Sequence, residues 1–277
     1  MTVGDAIPRL SSRTPTVLIT GGSSGIGREL ARLFARDGFA LVLVSRSADR
    51  LAPVVGELRD AHGASVTTIP ADLGQPEDVE RLLSTLAASD IRVDVLVNNA
   101  GFGGAGRFSE TALDQELEMI ALNVGAVVTL TKRLLPSMLE SRRGRILNVA
   151  STAAFQPGPF QAVYFATKAF VLSFSEAIAE ELRDTGVTVT TLCPGPTQTG
   201  FAARAGFRSS PMMGARMDAR SVAEVAYTAT LRGERVVVPG VVNKMHAQAV
   251  RLTPRRLLAR LAGAAQQRRL DPGEGER

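Results

Sequence analysis

Short runs of aliphatic and β-branched residues alternate along the chain with longer stretches in which apolar side chains recur every three or four positions. The runs are Thr16–Thr20, Ala40–Val44, Ser65–Ile69, Val93–Val97, Arg145–Val149, Val187–Leu192 and Arg235–Val238, so seven strands are predicted. Each is short and mostly continuous in apolar character, the pattern of a parallel strand covered on both faces. Between them, Ile26–Arg36 places Ile26, Leu30, Leu33 and Phe34 on one side of a helix. Gln161–Asp184 is the longest helical stretch, with Phe170, Phe174 and Ile178 at helical spacing. Strand, helix and strand in repetition require right-handed crossovers. The expected architecture is therefore α/β, a doubly wound three-layer fold around a seven-stranded parallel sheet. No internal repeat or low-complexity linker divides it. One domain is expected over residues 15–240, with frayed ends at 1–14 and 270–277 and a helical extension over 241–277.

The first strand runs into Thr20-Gly21-Gly22-Ser23-Ser24-Gly25-Ile26-Gly27 and then directly into the first helix. Glycines at 21, 25 and 27 let the chain turn tightly and let a pyrophosphate approach the backbone. The positive end of the helix dipole then faces the phosphates. No GxxxxGK pattern is present, which excludes a P-loop nucleotide triphosphatase. Ser45-Arg46-Ser47 stands past the second strand, with Arg46 19 residues beyond Gly27 and no acid at positions 44–47. At this place an acid binds the ribose 2′-hydroxyl of NAD, whereas an arginine accommodates the 2′-phosphate of NADP. A guanidinium can grip phosphate through two hydrogen bonds, so NADP(H) is the expected cofactor. The competing reading of Arg46 is a solvated surface arginine.

Tyr164 and Lys168 are four residues apart and fall on one face of the helix that starts near Gln161. A free tyrosine, with a pKa of about 10, is a poor acid–base catalyst at neutral pH. A nearby ammonium favours phenolate, each pKa unit being worth about 1.4 kcal/mol. Lys168 is therefore expected to draw Tyr164 toward its working range. Ser151 follows the fifth strand, 13 residues before Tyr164, where its hydroxyl can bond a substrate carbonyl oxygen.

Together with Asp72-Leu73, Asn98-Asn99-Ala100-Gly101, Asn123 and Pro194-Gly195, these motifs follow one another from Thr16 to Val238 in an order that resembles the short-chain dehydrogenase/reductase family. The resemblance implies a Rossmann-like fold. It also implies a cofactor pocket built by Gly21, Ser23, Ser24, Gly25, Ile26, Gly27, Arg46, Asp72, Leu73, Asn98, Ala100, Gly101, Tyr164, Lys168, Pro194, Gly195, Thr197 and Thr199. Within it Asp72 would bond the adenine amino group, Asn98 would lie near the adenosine ribose, and Lys168 would also hold the nicotinamide ribose hydroxyls. Asn123 would anchor the water chain that resupplies protons. Thr197 stands where the family often has an aliphatic residue. The implied reaction is hydride transfer between nicotinamide C4 and a carbonyl carbon, with Asn123, Ser151, Tyr164 and Lys168 as the catalytic set and Tyr164 as general acid/base. NADP points to the reductive direction. The resemblance further implies a homodimer or homotetramer, paired through the helices that carry Asn123 and Tyr164.

Composition narrows the alternatives. Of 277 residues, 32 are Lys or Arg and 27 Asp or Glu, for a net charge of +5. Residues 1–240 carry 24 of each sign, so the whole excess lies in 241–277. A nucleic-acid binder should spread its charge over the surface that tracks phosphates, so none is expected here. The single cysteine, Cys193, forbids an intrachain disulfide, and His62 and His246 lack metal-ligand spacing; no metal site is expected. No apolar run approaches the roughly 18 residues of a membrane span, and the first residues lack a signal-peptide core. The expected location is cytoplasmic.

Substrate walls are expected from Phe102, from the loop Thr152–Phe160 and from Gln198–Met217, whose Phe201, Phe207, Met212, Met213 and Met217 read as a mobile lid. They suggest an apolar ketone, aldehyde or 3-oxoacyl compound. Val241–Leu252 and Pro254–Arg269 read as two helices. In the second, Leu257, Leu258, Leu261 and Ala265 form an apolar stripe opposite Arg255, Arg256, Arg260, Arg268 and Arg269. Residues 254–269 could lie on an anionic membrane or pack on their own domain or a partner subunit. Two other functions stay open: a non-catalytic NADP-binding regulator, and a membrane- or partner-binding protein acting through this helix.

Overall fold

The computed structural model describes residues 13–200 and 217–270. The first half of the sheet is built by β1 (Thr16–Thr20), α1 (Gly25–Arg36), β2 (Ala40–Ser45), α2 (Ala48–His62), β3 (Val66–Pro70), α3 (Pro76–Ala88) and β4 (Val95–Asn98). The second half starts with α4 (Leu113–Ile120), a π-helical turn (Ala121–Ala126) and α5 (Val127–Glu140). It continues through β5 (Gly144–Val149), a 3-10 turn (Thr152–Phe155), α6 (Ala162–Glu181) and β6 (Val187–Leu192). Two short paired strands follow, β7 (Thr197–Gln198) and β8 (Met217–Asp218), then α7 (Ala219–Arg232), β9 (Val236–Val237), α8 (Val241–Leu252) and α9 (Arg255–Leu270). The seven-stranded sheet has the order β3-β2-β1-β4-β5-β6-β9, and every neighbouring pair in it is parallel. All seven predicted strands form, as a Rossmann-like fold. The β7–β8 pair was not predicted, because two residues per strand carry no readable period.

Strand alternation divides the core into two layers. On β1, Val17 and Ile19 face the layer built with α1, α2 and α7, through Leu30, Phe34, Leu51, Leu58 and Tyr227. Leu18 faces the other layer, where Val42, Leu96 and Ile146 meet Leu82 of α3 and Leu130 and Met138 of α5. Strand order reverses at β1, whose neighbours are β2 and β4, so the crossovers leave in opposite directions and open a crevice at the carboxyl ends of the strands.

Of the stripe predicted for the long helix, Phe170 is turned outward while Ile178 packs against the core. Phe165, Val171, Leu172 and Ser175 are the buried side of α6, while Phe170 is 42% exposed and stacks on Phe174 at 5.8 Å. Polar atoms settle this orientation. Asn98 Nδ2 donates to Asn148 Oδ1 (2.9 Å) and Thr131 Oγ1 (3.2 Å), and Asn148 Nδ2 donates to Ser175 Oγ (2.8 Å). A buried amide left unpaired is costly, so α6 must present Ser175 inward. Contrary to the sequence expectation, residues 113–140 and α6 are long and apolar enough to cross a membrane by length and composition. Both lie against the sheet, and their outward sides expose Leu113, Leu117, Ile120 and Phe170.

Phe34 is fully buried and meets Phe39 and Tyr227 edge to face at 5.0 and 4.8 Å. Phe34→Ala should cost roughly 3–5 kcal/mol, read from urea unfolding midpoints; a loss below about 1 kcal/mol would show that this layer tolerates a cavity.

Candidate active site

A cavity of about 940 Å³ runs along the carboxyl edge of the sheet, from Arg46, Asp72 and Leu73 at one end to Ser151, Tyr164 and Lys168 at the other. Its floor is the loop between β1 and α1. Gly21 and Gly25 have φ values of +68° and +54°, the left-handed region that favours glycine. A side chain on Gly27 would overlap the Gly21 carbonyl oxygen and Asn99 Nδ2, so the loop closes only with glycine there. The first turn of α1 carries no acidic residue, and Ser24, its N-cap, makes no side-chain capping bond. The helix therefore offers uncapped amides beside Ser23, Ser24, Gly25 and Ile26, which all line the cavity. A dinucleotide pyrophosphate fits this donor set, and the cavity continues from it to Arg46 on one side and Tyr164 on the other.

At the adenosine end, Arg46 is mostly exposed and stands 3.9 Å from Glu118, too loosely paired to be held away from a phosphate. Arg50 joins it on the same rim; its spacing of four from Arg46 was a readable signal. Asp72 lines the cavity, and its Oδ1 accepts from the Gly74 amide at 3.1 Å, so it also caps a turn. Leu73, Ala100 and Gly101 line the wall as predicted. Asn98 does not: its carboxamide lies behind the wall, bonded to Asn148 and Thr131. The neighbouring Asn99 lines the cavity, and its Nδ2 donates to the Thr20 carbonyl at 2.9 Å. Strand pleating puts adjacent residues on opposite faces, which separates the two asparagines.

At the other end, Tyr164 and Lys168 project from the first turns of α6 toward Ser151, which caps the 3-10 turn by accepting from the Ala153 amide. Ser151 Oγ also lies 3.4 Å from the Pro194 carbonyl. Lys168 Nζ donates to the Val149 carbonyl at 2.8 Å and sits 5.9 Å from the centroid of the Tyr164 ring. Removal from water pushes the tyrosine up to about 12, against a smaller pull downward from its hydrogen bond with Ser151. Desolvation pushes Lys168 down to about 8. Without a cofactor, then, burial outweighs the ammonium, and Tyr164 rests as a protonated donor rather than being drawn toward phenolate. Asn123 sits 1% exposed in the π-helical turn. Its Oδ1 accepts from the Phe102 amide (3.1 Å), and its Nδ2 donates to the Phe102 carbonyl (2.9 Å) and Thr167 Oγ1 (3.1 Å). Its side chain thus ties the Phe102 loop to α6 rather than entering the cavity.

Pro194, Gly195, Thr197 and Thr199 complete the inner wall, with Phe102, Thr152, Ala153 and Gln156 beyond them. The predicted lid, 198–217, falls largely on 201–216, outside the described residues; β7 and β8 hold its two ends together through Thr197–Met217 pairing. The far wall had not been read from the sequence. Asn243 and His246 of α8 and Leu258, Leu261, Ala262, Ala265 and Gln266 of α9 line the cavity. Gln266 Nε2 donates to Gln161 Oε1 at 2.9 Å, and Asn243 packs so tightly on Gly195 that a side chain there would overlap it. A helix read from one sequence shows which face is apolar but not what that face meets.

The family profile described as short chain dehydrogenase matches residues 15–207. Ketoacyl reductase HetN of Nostoc sp. is 38% identical over 189 residues, which are 67% of this chain and 65% of that protein. The solved structure of a Sphingobium yanoikuyae short-chain dehydrogenase in complex with NADPH is 33% identical, with a TM-score of 0.78 over 95% of this chain and 98% of that one. A Burkholderia phymatum short chain dehydrogenase/reductase in complex with NAD is 26% identical, with a TM-score of 0.77 over 85% and 92% of the two chains.

Gly27→Ala should open the glycine loop, lowering stability by about 1–3 kcal/mol and removing the thermal shift given by NADPH. An unchanged shift would mean that the loop does not set the cofactor's place.

Proposed function

The chain belongs to the short-chain dehydrogenase family, and from that premise we propose that it is an NADPH-dependent reductase of apolar ketones, aldehydes or 3-oxoacyl compounds. The observation that carries this reading is the buried end of the cavity, where a protonated Tyr164 hydroxyl is bonded to Ser151 and the Lys168 ammonium sits 5.9 Å from the centroid of the tyrosine ring. A bound reduced nicotinamide supplies the hydride. Ser151 and Tyr164 orient the substrate oxygen, and Tyr164 donates the proton as that oxygen gains charge. Lys168 bonds the nicotinamide ribose and, as an ammonium, eases the proton's departure. Asn123 positions the Phe102 wall and α6.

Arg46 and Arg50 favour a cofactor carrying a 2′-phosphate, since no acid stands beside them on the second strand to select a free hydroxyl. Apolar substrate is favoured by the lining, to which Leu258, Leu261, Ala262 and Ala265 contribute together with Phe102 and Ala153. The reading puts the enzyme in the cytoplasm, where its single cysteine, buried and in no disulfide, stays reduced. Two copies pair through the exposed Leu113, Leu117, Ile120 and Phe170.

Tyr164→Phe should lower NADPH oxidation with 3-oxoacyl and aryl ketone substrates by about a hundredfold or more, while NADPH still raises the melting temperature. Full activity in this variant, or no turnover by the wild type across the panel, defeats the reading. Arg46→Ala should weaken NADPH binding about tenfold or more and leave NADH unchanged; equal effects on both remove the NADPH preference. Cofactor binding uses charged Lys168, whose proton is held only up to about pH 8 in the free enzyme. NADPH affinity should therefore be full below that pH and fall as pH rises through it, in fluorescence titrations. Lys168→Met should abolish the step, and a step that survives belongs to another group.

A further inference from the structure

The C-terminal arm has two sides, and the cavity uses only one. On α8, Asn243 and His246 line the cavity and Ala247 and Val250 are buried. On the opposite side Val241, Val242, Met245 and Leu252 form a continuous stripe at positions i, i+1, i+4 and i+11, with Val242 79%, Met245 67% and Leu252 88% exposed. On α9, the side turned away from the cavity exposes Leu257 between Arg255, Arg256 and Arg260. Leu261 lies at the lip, lining the cavity and exposed as well.

Charge says what covers this face. Residues 241–270 contain seven cations (Lys244, Arg251, Arg255, Arg256, Arg260, Arg268 and Arg269) and no acid. A second copy of the same arm would set cations against cations, and a neutral apolar groove would leave them unmatched. A surface that is apolar in depth and anionic at its boundary matches both features: aliphatic side chains sink below the headgroups while lysine and arginine stay among them. We infer that α8 and α9 form a docking face for an anionic lipid bilayer, which holds the mouth of the cavity at Leu261 against the acyl region. An apolar carbonyl compound then enters from the membrane, past Leu258 and Leu261, toward Tyr164. The direction of delivery rests on the cavity being the substrate site; the docking itself does not.

The test uses the full chain without cofactor or substrate, so it stands apart from turnover. Co-sedimentation is measured with phosphatidylglycerol–phosphatidylcholine vesicles and with pure phosphatidylcholine vesicles. The wild type should bind the anionic vesicles at least about tenfold more tightly. Val242→Asp with Met245→Asp, and separately Arg255→Glu, Arg256→Glu and Arg260→Glu together, should each lower that binding about tenfold or more. These side chains are exposed and lie outside the cavity lining, and circular dichroism melting checks that each variant is folded. Should the aspartate pair fail to fold, the arginine variant decides. No binding, equal binding to both compositions, or folded variants that bind like the wild type overturn the proposal. So does a wild-type assembly, seen by light scattering, that the aspartate pair breaks up, because the face then belongs to a second copy.

Discussion

The site depends on the register of one helix against two strands. Asn98 on β4, Asn148 on β5 and Ser175 on α6 form a buried chain of hydrogen bonds that ends on the Val171 carbonyl. Each member is 3% exposed or less, so sliding or turning α6 would strand amides in a dry core. That register delivers Tyr164 and Lys168, about three and two turns earlier on the same helix, to the open end of the crevice. Lys168 then closes on the Val149 carbonyl at the end of β5, and Thr167 meets Asn123 from the π-helical turn. The polar contacts that look structural are thus what make the chemistry possible.

The same burial sets the electrostatic starting point. A phenol held up near 12 and an ammonium held down near 8 are both biased toward their neutral forms. Such a site keeps the proton on Tyr164, the form from which a general acid acts. The C-terminal arm belongs to this centre through Asn243, which packs on Gly195, and through Gln266, which holds Gln161 one turn before Tyr164. It lies beyond residues 15–207, which the family profile matches, and it lines the far wall of the cavity.

Much of this was legible in advance. Continuous apolar runs gave the parallel strands, because a strand buried on both faces must be apolar throughout. Glycine spacing and the four-residue step from Tyr164 to Lys168 located the two ends of the site, since local geometry alone decides them. What failed depends on partners distant in sequence. Asn98 was expected at the ribose, but strand pleating sends it to Asn148. Helical spacing alone did not say which way Phe170 and Phe174 point; Ser175 and Lys168 claim the inner side of α6. The far wall of the cavity was invisible because the apolar stripe of α9 could equally have met solvent, a bilayer or its own domain. Docking of that helix on the cavity decides for its own domain on one side and leaves the other exposed.

The proposed reaction is a direct transfer between two molecules held in one cavity, with Tyr164 supplying the proton. Turnover of NADPH carrying deuterium at the nicotinamide C4 position, with product analysed by mass spectrometry, tests it most directly. Deuterium is expected on the carbinol carbon of the alcohol from one of the two C4 diastereomers, and the cofactor's own C4 protium there from the other. Product that carries solvent hydrogen at that carbon with both diastereomers, or no product with either, would contradict it.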